Sequence, residues 1–345
     1  MTTATSIVLA SRPQGPATLE NFRLEQHPLP DPTEGELLVR VIWLSLDPYM
    51  RGRMDDGPSY AAPVALGAVM TGGAVAEVVA SRHPGFAVGD LVMGAFGWTT
   101  HAISDGAGLR KVDPRLAPPQ TALGVLGMPG MTAWVGLTDI APMKPGETVV
   151  ISAATGAVGS VAGQLAKARG ARVIGVAGGP EKCVWATSEL GYDVCLDHHA
   201  LDEKALRAAL REAAPDGIDV YFENVGGKTL AAVMPNMATG GRIALCGMIA
   251  WYSGQNFDEA LPLPRVWSTI LTRRLNVRGF IVSDHFDRSG AFAAEVAPLV
   301  MSGRMKLRET VTDGLENAPA AFLSLLEGGN FGKALVRVGP DAGAA

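Results

Sequence analysis

The segment Thr148 to Gly163, T-V-V-I-S-A-A-T-G-A-V-G-S-V-A-G, constrains the fold of this chain more than any other stretch. A β-branched apolar run enters a turn with glycines at 156 and 159, and a small-residue helical pattern continues to Gly170. Strand, tight turn, helix is the opening of a dinucleotide-binding βαβ unit. Glycine lets the backbone approach a pyrophosphate, and the helix start offers N–H groups and a partial positive charge to its oxygens. The first glycine of the usual G-x-G-x-x-G is Ala154 here, so the context must carry part of the assignment.

That context is α/β alternation. Strands are expected at 147–152, 172–177, 193–196, 218–223, 242–246 and 275–281, with helical patterns at 181–190, 203–213 and 228–237. Six strands joined by crossover helices match a doubly wound parallel sheet. The first part of the chain reads differently. Runs such as Glu36–Trp43 and Gly73–Ala80 lie between turn signals (Pro30-Asp31-Pro32, Asp55-Asp56-Gly57-Pro58, Val88-Gly89-Asp90), which suggests a small β-rich, barrel-like domain. Thr132 to Ile140 looks helical. A last helix at 319–327 and a strand from Lys333 to Val338 could return to the first domain. At 345 residues two domains are expected: a β-rich one over 1–127, completed by 306–345, and a dinucleotide-binding one over 128–305.

Lys and Arg number 29 against 34 Asp and Glu, a formal charge of −5 with no basic stripe. This argues against nucleic acid or an anionic membrane as partner. The apolar window Thr121–Met143 is broken by Pro129, Gly130, Asp139 and Pro142, so no membrane span is expected. No basic region precedes a long apolar run near residue 1, and no secretory signal is expected. Three cysteines (183, 195, 246) are too few for a disulfide framework and point to a reducing cytoplasm; Cys195 and Cys246 sit in apolar runs and read as buried small hydrophobes.

Ligands of open α/β sheets bind at the carboxyl ends of the strands. The second strand ends in Gly178-Gly179, where NAD-binding proteins usually carry an acidic residue, and Lys182 follows within one turn. Missing repulsion plus an ammonium favours a 2′-phosphate, hence NADPH, unless Lys182 is a solvated surface lysine. Glu223-Asn224-Val225-Gly226-Gly227 and Cys246-Gly247-Met248 are small or polar edges for a nicotinamide, or ordinary strand-to-helix turns. Gly227-Lys228-Thr229 and Gly332-Lys333 imitate the end of a phosphate loop, but Phe222 and Glu327 stand where its first glycine is required. His198-His199 suggests a metal, yet adjacent side chains diverge and no third ligand is evident, so none is expected.

Several segments together resemble the zinc-independent medium-chain reductases of alkenals, enones and prostaglandin-type enones. They are Leu44-Ser-Leu-Asp-Pro-Tyr-Met-Arg-Gly-Arg53, Gly127-Met-Pro-Gly-Met-Thr-Ala133, the Ala153–Gly159 loop, Glu223–Gly227, Asp313-Gly-Leu-Glu-Asn-Ala-Pro319 and Asn330-Phe-Gly-Lys333. Gly175–Cys183 and Cys195–Ala200 resemble the bacterial members most. The resemblance spans essentially the whole chain. It implies a GroES-like domain plus a Rossmann domain, NADPH as hydride donor, and a homodimer. It places the pyrophosphate on Gly156, Ala157, Val158 and Gly159, and the 2′-phosphate on Lys182. Asn224, the run Cys246, Gly247 to Tyr252, Phe280, Ile281, Val282 and Asn330 would line the remainder.

His198 stands where many relatives have tyrosine; it could still donate a hydrogen bond, more strongly if protonated. Trp251 and Ser253 also depart from the pattern. Zinc-dependent relatives carry a Gly-His-Glu where this chain has Gly67-Ala68-Val69, and no cysteine precedes Cys183, so a catalytic zinc has no ligands there.

The implied reaction is hydride transfer to the β-carbon of an α,β-unsaturated ketone or aldehyde, diarylheptanoid-like enones included, in a metal-free cleft. Donors must meet the negative charge that reaches the carbonyl oxygen. Tyr252 is the first candidate and Tyr49 the second; either phenol, or water, could protonate the α-carbon. The alternatives are half-buried packing tyrosines, a quinone reductase of the same superfamily, and a non-catalytic NADPH-binding protein. Arg51 and Arg53 could greet an acidic substrate but read rather as solvated or structural. Met50, Met54, Met128, Met131 and Met248 could form an adaptable pocket or simply core.

Overall fold

The structure is a computed structural model that describes residues 2–342. The chain divides into two compact units, Met1–Gly124 with Glu309–Ala345, and Val125–Arg308.

The first unit opens with the antiparallel pair β1 (Thr2–Leu9) and β2 (Phe22–Leu29). Next come β3 (Leu37–Ser45), the short helix α1 (Met50–Arg53), β4 (Ala74–Ser81), β5 (Leu91–Gly94), β6 (His101–Ser104) and β7 (Arg110–Lys111). β3 is the spine. Its run L-L-V-R-V-I-W-L-S is buried at every position but Arg40, because β4 and β6 pair with it and both of its faces are covered. Phe22 stacks on Trp98 and Phe322 meets both edge-on in this core, with ring centroids 5.6–6.3 Å apart.

The second unit starts with α2 (Met128–Val135), which runs into a π-helical turn, Gly136–Ile140, where a helix is expected from the sequence. Six strands follow, β8 (Thr148–Ser152), β9 (Arg172–Ala177), β10 (Val194–Asp197), β11 (Ile218–Glu223), β12 (Met237–Leu245) and β13 (Asn276–Gly279). Between and after them lie α3 (Gly159–Ala168), α4 (Pro180–Ser188), α5 (Glu203–Ala213), α6 (Gly227–Val233), α7 (Leu263–Arg273) and α8 (Ser289–Met301). The sheet order is β10-β9-β8-β11-β12-β13 and every pairing is parallel. This is the doubly wound Rossmann arrangement, whose direction reverses between β8 and β11. Strand alternation divides the core between two faces: Val149, Ile151, Val220 and Phe222 join one cluster, Val150 and Tyr221 the other.

The helix expected at 228–237 ends at Val233, because Pro235 tightens the chain into a short turn, and β12 begins at Met237. The chain then returns to the first unit as β14 (Glu309–Asp313), α9 (Ala318–Leu326) and β15 (Lys333–Arg337). β15 pairs antiparallel with β3. No described helix is long and apolar enough to cross a membrane.

Candidate cofactor and active site

The loop between β8 and α3 lies at the reversal point. Ala153 takes a left-handed backbone (φ 48°), a conformation that strains a residue bearing a Cβ. Its carbonyl accepts the Gly156 N–H at 2.9 Å. A Cβ at Gly159 would lie 2.2 Å from the Ala153 oxygen, so only glycine lets α3 start this close to the strand. No side chain caps the amino end of α3. A tyrosine that the sequence reading missed holds the loop from behind. Tyr192 is buried, and its hydroxyl lies 2.8 Å from the Gly159 carbonyl and 3.1 Å from that of Ala154. A Cβ at Gly163 would come within 2.2 Å of the Tyr192 ring, and one at Gly175 within 3.0 Å. Glycines inside a helix and a strand were the available signal for such a close approach.

The second cluster forms where β9 and β10 end. A Cβ at Gly178 would sit 2.8 Å from the His199 ring and 3.1 Å from His198 Nε2. The two imidazoles do not diverge as adjacent residues were expected to; they meet edge to face at 4.5 Å between centroids. Burial, then His199 and Lys228, push the His198 pKa down to about 4, so the ring is neutral near pH 7 and works there as a neutral donor or acceptor. The space is not free of carboxylate either. Asp197 accepts the N–H groups of Gly179 (2.7 Å) and His199 (2.9 Å). Burial raises its pKa, but these bonds outweigh that and leave it below the usual carboxylate range. Lys182 stands in the first turn of α4, half-buried, its pKa lowered by that burial. Lys228 is committed elsewhere: its Nζ donates to the carbonyls of His198 (2.7 Å) and Leu201 (3.1 Å).

The third cluster is built on Glu223, fully buried at the end of β11. Its carboxylate accepts from Ser152 Oγ (3.0 Å), Tyr221 Oη (2.8 Å) and the N–H groups of Val225 (2.6 Å) and Gly226 (3.0 Å). Its own carbonyl accepts from the N–H groups of Cys246 and Gly247. One acidic residue, through its side chain and its carbonyl, thereby fixes both loop edges. Asn224 Nδ2 donates to the Ser152 carbonyl at 2.8 Å. The Tyr252 hydroxyl accepts the Met248 N–H at 3.2 Å and would lie 3.0 Å from a Cβ at Gly247. Cys246 and Cys195 are half-buried rather than fully buried, and burial pushes the Cys246 thiol up to about 12. Phe280 follows β13 and packs edge-on against Phe222; Ile281 and Val282 continue from it.

Tyr49 and Asn330 belong to the first unit. Tyr49 precedes α1 with Arg53 over its ring at 5.7 Å, and burial, then the charge of Asp47, raises its phenol well above the usual value. Asn330 Nδ2 donates to the Gly332 carbonyl at 2.7 Å. Lys333, dismissed above as a phosphate-loop imitation, is buried and donates to the Leu46 carbonyl (2.6 Å) and Asp47 (2.9 Å), while Ser45 bonds the other Asp47 oxygen. Arg51 and Arg53 are buried and bonded to Gly15 O, Asp55 and Ala61 O. Met50, Met54 and Met131 are core, and Met248 is exposed.

The residues at the sheet's carboxyl edge fit a phosphorylated dinucleotide: a glycine cradle at an uncapped helix start, a Gly178-Gly179 turn that Lys182 follows, and polar loop edges at Asn224 and Gly247. Among the described residues no group of three or more His, Cys, Asp or Glu is placed to hold a metal ion.

The chain matches two family descriptions, "N-terminal domain of oxidoreductase" over residues 5–112 and "Zinc-binding dehydrogenase" over 157–299. It is 49% identical over 336 residues to the NADPH-dependent curcumin reductase of Escherichia coli (strain K12), covering 97% of this chain and 96% of that protein. It is 41% identical to prostaglandin reductase 1 of Rattus norvegicus over 94% of this chain and 96% of that protein. Among solved structures, CurA of Vibrio vulnificus in complex with NADPH has a TM-score of 0.92 at 48% identity, over 98% of this chain and all of that one.

Proposed function

The chain belongs to the medium-chain dehydrogenase/reductase family, in the branch of the curcumin and prostaglandin reductases, and from that membership we propose that it reduces the C=C bond of α,β-unsaturated ketones and aldehydes with NADPH. The observation that carries this reading is the Gly178-Gly179 turn with Lys182 beside it, on the sheet edge that also holds the glycine loop and Tyr252. The Val125–Arg308 unit is assigned to the cofactor and the remainder to the substrate.

Bound NADPH supplies the hydride. The chain's residues hold and orient it: the loop Gly156, Ala157, Val158 and Gly159 cradles the pyrophosphate, and Lys182 takes the 2′-phosphate, with His198 as a neutral partner. Asn224, Cys246, Gly247, Phe280, Ile281, Val282 and Asn330 line the rest. Reduction of a conjugated double bond moves charge to the carbonyl oxygen, where a preorganised donor counts most. Tyr252 is assigned that donor role. Tyr49 is a second donor, and its raised pKa keeps the phenol protonated throughout the physiological range. No metal is assigned a part.

We also propose a homodimer, a reading supported by the free end of the parallel sheet. β13 is the outermost strand and exposed along its length, and Leu263, Trp267 and Leu271 on the neighbouring α7 are 64%, 61% and 76% exposed. An unpaired strand edge beside an apolar face is the surface a second copy would cover. Trp267→Glu combined with Leu271→Asp is expected to yield monomers in light scattering. Three free thiols are in keeping with the cytoplasm.

The test follows oxidation of NADPH by purified protein against conjugated enones, alkenals, quinones and saturated carbonyls. Turnover confined to quinones, or to saturated aldehydes, would overturn the proposal, as would activity that a chelator removes and zinc restores.

A further inference from the structure

Trp251, one of the departures from the relatives' pattern, is used by nothing described so far. It ends the short helical turn Ile249–Trp251, half-buried, and Tyr252 follows it directly. Two backbone bonds hang that turn on the residues after β11: the Ile249 N–H donates to the Asn224 carbonyl (3.3 Å) and the Ala250 N–H to that of Val225 (3.0 Å). The indole lies against Gly226, where a Cβ would come within 2.8 Å of the ring. Tyr252 repeats the arrangement one residue on, with its hydroxyl 3.0 Å from where a Cβ of Gly247 would be. Adjacent aromatic side chains thus rest on two glycines, where the backbone alone leaves room for them. Glu223 holds the N–H groups of both glycines, that of Gly226 on its carboxylate and that of Gly247 on its carbonyl. The indole is tied at a second point. Its Nε1 donates to the Asn256 carbonyl (3.1 Å), and Asn256 Nδ2 returns a bond to the Ala250 carbonyl (3.2 Å). Asn256 takes the left-handed backbone (φ 60°), which asparagine tolerates better than most residues. The exposed residues 254–257 are thereby folded back on the turn that carries Tyr252.

We propose that Trp251 is a positioning residue for the reaction: held between Gly226 and Asn256, it fixes the turn that aims the Tyr252 hydroxyl, and it acts on turnover through that hydroxyl. The role in turnover rests on the donor assignment of Tyr252 above; the bracing of the turn does not. The hydroxyl accepts the Met248 N–H at 3.2 Å, a bond made within the same turn. A backbone N–H on the phenol oxygen stabilises the charge that builds there as the phenol donates its proton. Without the indole the turn keeps its two bonds to Asn224 and Val225 but loses its brace to Asn256, and the Met248–Tyr252 bond loosens with it. A misplaced donor is felt where charge develops in the transition state and little in the binding of the cofactor. The effect therefore falls on kcat rather than on NADPH affinity.

The test uses full-length protein, a conjugated enone as substrate, and amide hydrogen exchange read by mass spectrometry on the apoprotein. Trp251→Ala is expected to lower kcat on the order of tenfold and to leave the Kd for NADPH within about twofold of wild type. It should also speed exchange across residues 248–256 while the Ala153–Gly159 loop exchanges as before. Trp251→Phe keeps a ring on Gly226 and loses only the indole N–H, so its kcat should fall by about threefold. Added to Tyr252→Phe, the Trp251→Ala change is expected to cost less than about twofold more, because the group it positions is already gone. A full further loss in that background overturns the positioning role while the functional reading survives. So does unaltered kcat or unaltered exchange in Trp251→Ala, or an NADPH Kd that rises in step with the loss of kcat. Wild type that oxidises NADPH with no conjugated enone, or Tyr252→Phe at full turnover, overturns the donor assignment and the positioning role with it.

Discussion

Replacing Lys182 by alanine isolates the step that separates NADPH from NADH. A charge-assisted hydrogen bond contributes about 1.5–3 kcal/mol, and each 1.4 kcal/mol is roughly tenfold in affinity. Loss of the ammonium is therefore expected to raise the Kd for NADPH about 10- to 150-fold. Two neighbours place the effect toward the upper end. Lys228 compensates poorly, because two of its donors already serve the carbonyls of His198 and Leu201. Asp197 stays in place as an anion on two backbone N–H groups and would face the phosphate with one fewer opposing charge. NADH has no group at this point and should bind within about twofold of its wild-type affinity, there being no charge-assisted contact to lose. Parallel titrations of both cofactors at one ionic strength, followed by nicotinamide fluorescence, read the ratio directly, and Lys182→Arg should recover part of it. Equal losses for the two cofactors, or an NADPH Kd that does not move, would refute the reasoning and return Lys182 to the solvated surface.

Three further outcomes are expected. Tyr252→Phe should lower kcat on the order of a hundredfold, the usual effect of removing one preorganised donor, with NADPH affinity near wild type; an unchanged kcat removes Tyr252 from the chemistry. His198 has its pKa pushed down to about 4 in the folded apoprotein, against roughly 6.5 when unfolded. A depressed pKa contributes stability that is present above the unfolded value and lost as pH falls toward the folded one. Apoprotein Tm should therefore decline between about pH 6.5 and 4, and His198→Gln should flatten part of that decline. Lys333→Met would leave Asp47 buried without its cation, at a cost of about 3–5 kcal/mol, measurable by denaturant unfolding; a change below about 1 kcal/mol would show that the pair contributes little.

What was legible in the sequence was whatever rests on local periodicity and on backbone chemistry. The apolar stretches Val149–Ile151, Val173–Ala177 and Val220–Phe222 state the strand character of β8, β9 and β11, because a strand covered on both faces is near-continuously apolar. The glycines at 156 and 159 declare the cofactor loop because the backbone there admits no side chain. The same logic applied to Gly163 and Gly175 would have led to Tyr192, but a glycine names only the space it leaves and not the residue that fills it. Pro235 was in plain view, and the expected helix at 228–237 still ran past it.

The rest belongs to contacts between residues distant in sequence, which no local pattern encodes. The His198 and His199 rings converge over Gly178 only because β9 and β10 end side by side there. Lys333 becomes a buried partner of Asp47 through the pairing of β15 with β3, nearly three hundred residues apart. Glu223 acquires the Ser152 hydroxyl in the same way, across two neighbouring strands. Sequence alone determined which elements form and which cofactor class they suit, since those follow from side-chain period and the room glycine leaves. Tertiary structure alone decided the charge state of His198 and the engagement of Asp197 and Lys228. Burial and proximity set such properties, and both exist only once the strands have assembled.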